Sequence, residues 1–202
     1  MQVIKISPQQ FSQALFQLEG ISKETIAQHL KLYQGYVNKY NEINKQLAVL
    51  SEESYQEANQ VYSHIRELKV ELSFAFAGVV NHELYFSHLG RKEELTDQSL
   101  RAEIERSFGS LTAYFKDLKA TAISARGWAW TVWIKREKRL VNYLGDSQNT
   151  FLVWGGVPIL ALDTYEHAYF ADFGVNRSAY IDVFFKNLNW SQIAKNFELA
   201  KK

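Results

Sequence analysis

The stretch Asp163-Thr164-Tyr165-Glu166-His167-Ala168-Tyr169 follows directly on the apolar run Val157-Pro158-Ile159-Leu160-Ala161-Leu162, and it sets a carboxylate and an imidazole four residues apart. A short apolar run of this kind reads as a buried strand. A strand that delivers Asp163, followed by a turn or helix start that brings His167 back beside it, would place both groups on one divalent or trivalent metal ion. Two more imidazoles would complete such a site. The chain offers them at His29 and His82, each inside a long amphipathic helical pattern. Three histidines and one aspartate suit a redox-active iron or manganese ion.

The 202 residues suffice for one large or two small domains with a real core, and the 47% hydrophobic content is that of a globular protein. The apolar stretches are broken by charge or glycine well short of the roughly 20 residues needed to cross a bilayer. The N-terminus, Met1-Gln2-Val3-Ile4-Lys5-Ile6-Ser7-Pro8, lacks the apolar core of a secretory signal, so a cytoplasmic protein is expected. The sequons at Asn176 and Asn189 then carry no meaning. With no cysteine, disulfides, thiolate metal sites, iron–sulfur clusters and cysteine nucleophiles are excluded together. The 23 Lys and Arg nearly balance the 22 Asp and Glu, so the bulk charge points neither to nucleic acid nor to an acidic membrane surface.

Ser22 is placed to cap a helix supported by Glu24 in its first turn, with Ile26, Leu30, Tyr33, Val37, Tyr40 and Leu47 at helical spacing. A polar break at Ser51-Glu52-Glu53-Ser54 precedes a second helical pattern, with Leu72, Phe76, Val79, Leu84 and Phe86, that runs to Leu89 and stops at Gly90. Two long helices joined by a short loop form an antiparallel hairpin. The charged segment Arg91-Lys92-Glu93-Glu94-Leu95-Thr96-Asp97 is the expected domain boundary. Beyond it, residues 98–120 read as one helix through Ile104, Phe108, Leu111, Phe115 and Leu118. Residues 128–134 and 140–144 read as a hairpin around Lys135-Arg136-Glu137-Lys138, and 158–163 as a third strand. Helices are expected around 165–173, 178–185 and 191–199. The predicted fold is therefore α+β. An N-terminal antiparallel helical hairpin covers residues 1–90. A C-terminal domain over 91–202 carries a small three-stranded antiparallel sheet surrounded by helices, with the metal site at the domain interface.

His64 and His88 sit among polar residues and read as surface side chains. His29, His82 and His167 lie in apolar surroundings, where an unpaired imidazole is costly to bury. Singly each reads as a core histidine with a hydrogen-bond partner; their conjunction with Asp163 points to a metal.

The neighbours of these four residues carry a further pattern. It comprises Ser22-Lys23-Glu24-Thr25-Ile26 ahead of His29, Gly35-Tyr36-Val37-Asn38 after it, Asn81-His82 in the second helix, and Gly127-Trp128-Ala129-Trp130 opening the sheet. It continues through the 163–169 stretch, Asn176-Arg177-Ser178-Ala179-Tyr180 and Asn189-Trp190. In this order, from Ser22 to Trp190, the landmarks make the chain resemble the iron/manganese superoxide dismutases. The resemblance implies His29, His82, Asp163 and His167 as ligands of one Mn or Fe per chain, superoxide as substrate, and a homodimer. The implied oxidoreductase oxidises one superoxide to dioxygen and reduces the next to hydrogen peroxide with two protons, on a metal that alternates between M(III) and M(II).

In that family a glutamine or histidine bonded to the metal's solvent ligand tunes the potential. One place for it, four residues before the second histidine ligand, is Gly78 here. The other lies in the sheet segment, where Gln148 stands fifteen residues ahead of Asp163. That placement resembles the manganese members and favours Mn over Fe. Tyr36 corresponds to the family's funnel tyrosine, one residue nearer the first ligand than usual, which suggests a helical irregularity present in one case and absent in the other. Trp128 and Trp130 by resemblance line the metal pocket, Glu166 reaches the partner's ligand histidine across the dimer, and Arg177 supports the funnel rim. Three departures stand out. Tyr165 replaces a tryptophan, Tyr33 a gateway histidine, and Phe170 that histidine's tyrosine partner from the opposite subunit. The last two remove both ends of one hydrogen bond and leave no orphan. An alternative reading is a catalytically weak or inactive metal-binding member of the fold. A metallohydrolase ranks last, since the sequence shows no paired carboxylate or second metal site near the ligands and no HExxH-type motif.

Overall fold

In a computed structural model the described residues are 3–90, 92–150 and 154–202. Arg91, the first residue of the expected boundary segment, and residues 1–2 of the N-terminal stretch lie outside them.

Helix α1 spans Lys23–Ala48, and the Ser22 side chain accepts from the Thr25 N–H at its start, so the expected cap forms. It is α-helical throughout. The buried stripe Ile26, His29, Tyr33, Val37 and Leu47 packs on α3 (His64–Ser87), making the antiparallel hairpin. The connection is longer than the sequence suggested. Residues 49–63 include a one-turn helix, α2 (Glu52–Gln56), capped by Ser51 within the segment read as a plain break. α3 stops at Ser87, and Leu89 leaves it to form an isolated bridge with Leu188.

The expected helix over 98–120 is two helices, α4 (Gln98–Phe108) and α5 (Leu111–Ser124). Gly109 at φ +86° ends the first, a conformation that costs little only for glycine, and Ser110 caps the second. Apolar spacing of three and four persists across the break, which is why it read as continuous.

Strands β1 (Trp128–Ile134), β2 (Arg139–Gly145) and β3 (Gly156–Asp163) form one antiparallel sheet in the order β2-β1-β3. Every residue of the central strand β1 is buried, as its unbroken apolar run requires. β3 is an edge strand, and its bulge opposite Thr131 and Val132 leaves Ile159 outside the pairing. The exposed edge is covered by side chains: His88 Nε2 accepts from the Ala161 N–H (3.0 Å), and Asn196 Nδ2 donates to the Ile159 carbonyl (3.0 Å). His88 is therefore fully buried, not a surface residue. It caps the C-terminal end of α3, seven residues after Asn81 and three after Tyr85, in line with the buried stripe of the helix.

After β3 the expected 165–173 helix resolves into a 3₁₀ turn (Glu166–Ala168) and a one-turn helix α6 (Phe170–Phe173). α7 (Arg177–Lys186) and α8 (Trp190–Ala200) follow, capped by Asn176 and Asn189, which explains both sequons. The main core joins α1 and α3 to the sheet and the C-terminal helices, with a smaller cluster of Ile43, Leu47, Leu68 and Ala75 at the far end of the hairpin. Among the described residues no helix is long and apolar enough to cross a membrane.

Candidate metal centre

His29 from α1, His82 from α3, Asp163 from the end of β3 and His167 from the 3₁₀ turn each bring a ligand atom within 4.8 Å of the others. Asp163 Oδ2 is the hub. It lies 3.1 Å from His29 Nε2, 3.0 Å from His167 Nε2 and 3.6 Å from His82 Nε2. Its Oδ1 accepts the Tyr165 N–H, and its carbonyl accepts the Tyr180 hydroxyl, so the aspartate is fixed at both ends. The side chains of His29, His82 and Asp163 are wholly buried, whereas that of His167 is 31% exposed, so access to the cluster is on the His167 side.

The donor set fits a metal. His82 Nδ1 donates to the Gly78 carbonyl at 2.6 Å, which leaves Nε2 as a lone pair aimed into the cluster. That nitrogen is buried without a hydrogen-bond partner. Burial, and next the neighbouring His29 imidazole, holds His82 down to about 3, and burial lowers His29 as well, so burial favours the neutral, metal-binding form of each. Burial alone would raise the Asp163 carboxyl, but His167 and His29 outweigh it and hold the group well below the usual carboxylate range. A carboxylate facing three imidazole nitrogens offers the cluster one negative charge and nitrogen donors suited to Fe or Mn.

Tyr36 lies one face along α1 from His29, its ring 5.3 Å from that of His82. It rests directly on Gly78, where a Cβ would stand 2.8 Å from the ring. This close approach is incompatible with a longer side chain at 78. Gln148 is 2% exposed, and its amide orientation is forced. The Trp128 indole can only donate, and it does so to Gln148 Oε1 (2.8 Å), so Nε2 faces Tyr36 and donates to its hydroxyl at 3.0 Å. Burial raises the Tyr36 phenol above its ordinary value, so it stays protonated with its own proton free to pass on.

Trp128 meets the His82 ring edge-on at 5.2 Å, and Trp130 stacks behind Trp128 at 6.3 Å while donating to Asn81 Oδ1. Tyr165 stacks on His167 with ring centroids 5.4 Å apart. Tyr33 is buried; its hydroxyl accepts from the Gln9 N–H and donates to Glu83, pinning the N-terminal segment against the hairpin. Burial pushes this phenol up to about 12. Glu166 is exposed beside His167, and Phe170, at the start of α6, is half exposed. Arg177 donates to the Tyr169 hydroxyl and to the carbonyls of Ala125 and Ile123, so its guanidinium braces α7 against the end of α5.

Three residues given no role from sequence also hold the centre. Asn81 Nδ2 donates to the Gln148 carbonyl (3.1 Å). The Tyr85 ring lies 5.0 Å from His29, and its hydroxyl meets that of Tyr180 (3.2 Å), whose own proton goes to the Asp163 carbonyl. Tyr85, one turn after His82 on the buried helix face, could have been found by spacing; Tyr180 could not.

A helical hairpin and a sheet domain thus converge on three histidines and one aspartate, a donor set of the kind that could hold a single metal ion. The family described as iron/manganese superoxide dismutases matches on both parts, its alpha-hairpin domain over residues 14–90 and its C-terminal domain over 96–196. The chain belongs to the iron/manganese superoxide dismutases. It is 46% identical over 188 residues to an iron superoxide dismutase of Aquifex aeolicus, covering 92% of this chain and 88% of the relative. An iron enzyme of Aquifex pyrophilus matches with the same identity and coverage. A manganese superoxide dismutase of Haloferax volcanii is 30% identical over 182 residues, 89% of this chain and 88% of the relative.

Proposed function

We propose that the protein disproportionates superoxide to dioxygen and hydrogen peroxide, with one Fe or Mn ion held by His29, His82, Asp163 and His167. The observation that carries this is the convergence of four ligand atoms within 4.8 Å, one of them a buried lone pair with no other partner. The bound ion would supply the reversible one-electron step that accepts an electron from one superoxide and returns it to the next. The protein supplies the rest. Burial of three ligands excludes bulk water, and the His167 side admits a small anion. Gln148, oriented by Trp128, and Tyr36, held under it, present a fixed chain of donors along which protons reach the product.

The two pointers to the metal diverge. The position of Gln148 favours manganese, while the relatives at 46% identity are named for iron. Reconstituting metal-free protein separately with Fe and with Mn, and following superoxide decay in each, decides it. Fast turnover with one metal and little with the other names the cofactor; full loading by both with turnover by neither makes the chain the metal-binding, non-catalytic member.

The same reading includes a division of the chain between residues 90 and 91 and a homodimer in which Glu166 reaches the partner's ligand histidine. Glu166→Ala is expected to give monomer in sedimentation and to loosen the metal. An intact dimer with full metal content would remove Glu166 from that role.

A further inference from the structure

Two buried phenols stand behind the metal centre. Tyr85 lies three residues after His82 on α3, Tyr180 lies on α7, and neither is exposed at all. Their hydroxyls meet at 3.2 Å, and the Tyr180 hydroxyl donates to the Asp163 carbonyl at 2.9 Å. A carbonyl only accepts, so the one proton of Tyr180 is committed to Asp163, and the Tyr180 oxygen takes the proton of Tyr85. The donors therefore run in a single order, from Tyr85 through Tyr180 to the backbone of a ligand. The rings reach the other ligands. Tyr85 packs 5.0 Å from the His29 imidazole. Tyr180 stacks on Tyr169, with centroids 5.1 Å apart and 20° between planes, and Tyr169 closes the 3₁₀ turn that carries His167. Since Tyr85 shares its helix with His82, the pair touches all four elements that deliver a ligand. We infer that Tyr85 and Tyr180 are positioning residues, a hydroxyl pair that ties the helical hairpin to the end of β3 behind the ligands and so sets how firmly the four hold their ion.

Phenylalanine at either position fills nearly the same space and keeps the ring contacts, so the hydroxyls alone are at issue. Their losses are unequal. Tyr85→Phe takes away the first donor and leaves Tyr180 bonded to Asp163. Tyr180→Phe removes the acceptor of one bond and the donor of the other, which orphans the buried Tyr85 proton and frees the Asp163 carbonyl from α7. In the double variant no phenol is orphaned, yet the carbonyl is still untied. Stability and metal retention should therefore part company there, which packing alone would not produce.

The role of the pair rests on the four residues being a metal site, but not on turnover. Protein loaded with Fe or with Mn is challenged with excess EDTA, and metal loss is timed for the unaltered chain, Tyr85→Phe, Tyr180→Phe and the double variant. The electron paramagnetic resonance spectrum of the bound ion and urea unfolding of the metal-free forms are recorded alongside. Tyr180→Phe is expected to lose metal about tenfold faster or more, the usual effect of removing a group that orients a ligand, and Tyr85→Phe to lose it faster by a smaller factor. The zero-field splitting of the ion should shift in both. The double variant should regain part of the urea stability that Tyr180→Phe loses, without holding metal any better. Metal loss and spectra unchanged in the single variants, even with lowered metal-free stability, reduce the pair to packing and overturn the inference; if Tyr180→Phe does not fold, Tyr85→Phe decides by the same two readouts. Failure of the unaltered chain to take up either metal is a separate result, and it removes the metal reading itself.

Discussion

His88 shows how a single residue can be misjudged from its neighbours in sequence. Its polar flanks suggested the surface, yet it is buried and accepts the Ala161 N–H on the open edge of β3. The structure needs it neutral, and burial holds it at about 3. His88→Leu keeps the volume and removes the acceptor, so it should cost about 1–3 kcal/mol in urea unfolding while leaving metal content unchanged. The helical spacing from Asn81 and Tyr85 was the available signal, and it was outweighed by local composition. The convergence of His29, His82, Asp163 and His167 was legible for the opposite reason. Each sits in an apolar context where a lone imidazole or carboxylate has no business, and the 163–169 spacing ties two of them together. The burial of Gln148 between Trp128 and Tyr36 was not readable from the residues themselves, since nothing in a loop sequence says which way an amide points.

At the scale of elements, continuous patterns were read well and interruptions poorly. α1, α3 and the three strands follow from periodicity and the Ser22 cap because burial on one face leaves a repeating signal. The break between α4 and α5 leaves none, since Phe108 and Leu111 keep helical spacing across it. Gly109 was the marker, and its positive φ makes the break obligatory. Gly109→Ala should therefore destabilise the fold by about 1 kcal/mol through backbone strain, with no loss of metal, in thermal or urea unfolding. The short helices α2 and α6 were missed as separate elements because one turn is too short to show a period. α6 and the 3₁₀ turn before it nevertheless matter to the site, since the irregular turn, not a regular helix, swings His167 back onto Asp163.

For the whole molecule, the centre is the junction that binds the helical hairpin to the sheet, so its protonation is coupled to folding. His82 and His88 are held at about 3 in the folded protein, against 6.5 for a free imidazole. The unfolded chain thus binds more protons between these values, and stability falls as pH drops from 6.5 towards 3. In metal-free protein, thermal midpoints should be flat above pH 7 and decline steadily below it. His88→Leu should reduce the proton uptake on unfolding by one near pH 5, measured from the slope of stability against pH. The account as a whole depends on the four ligands forming one redox centre. The most direct measurement is metal content and superoxide decay on the same sample, for the unaltered protein and for His82→Ala. About one Fe or Mn per chain with fast decay, both lost in the variant, is the predicted result; rapid superoxide consumption by a His82→Ala protein stripped of metal would contradict it.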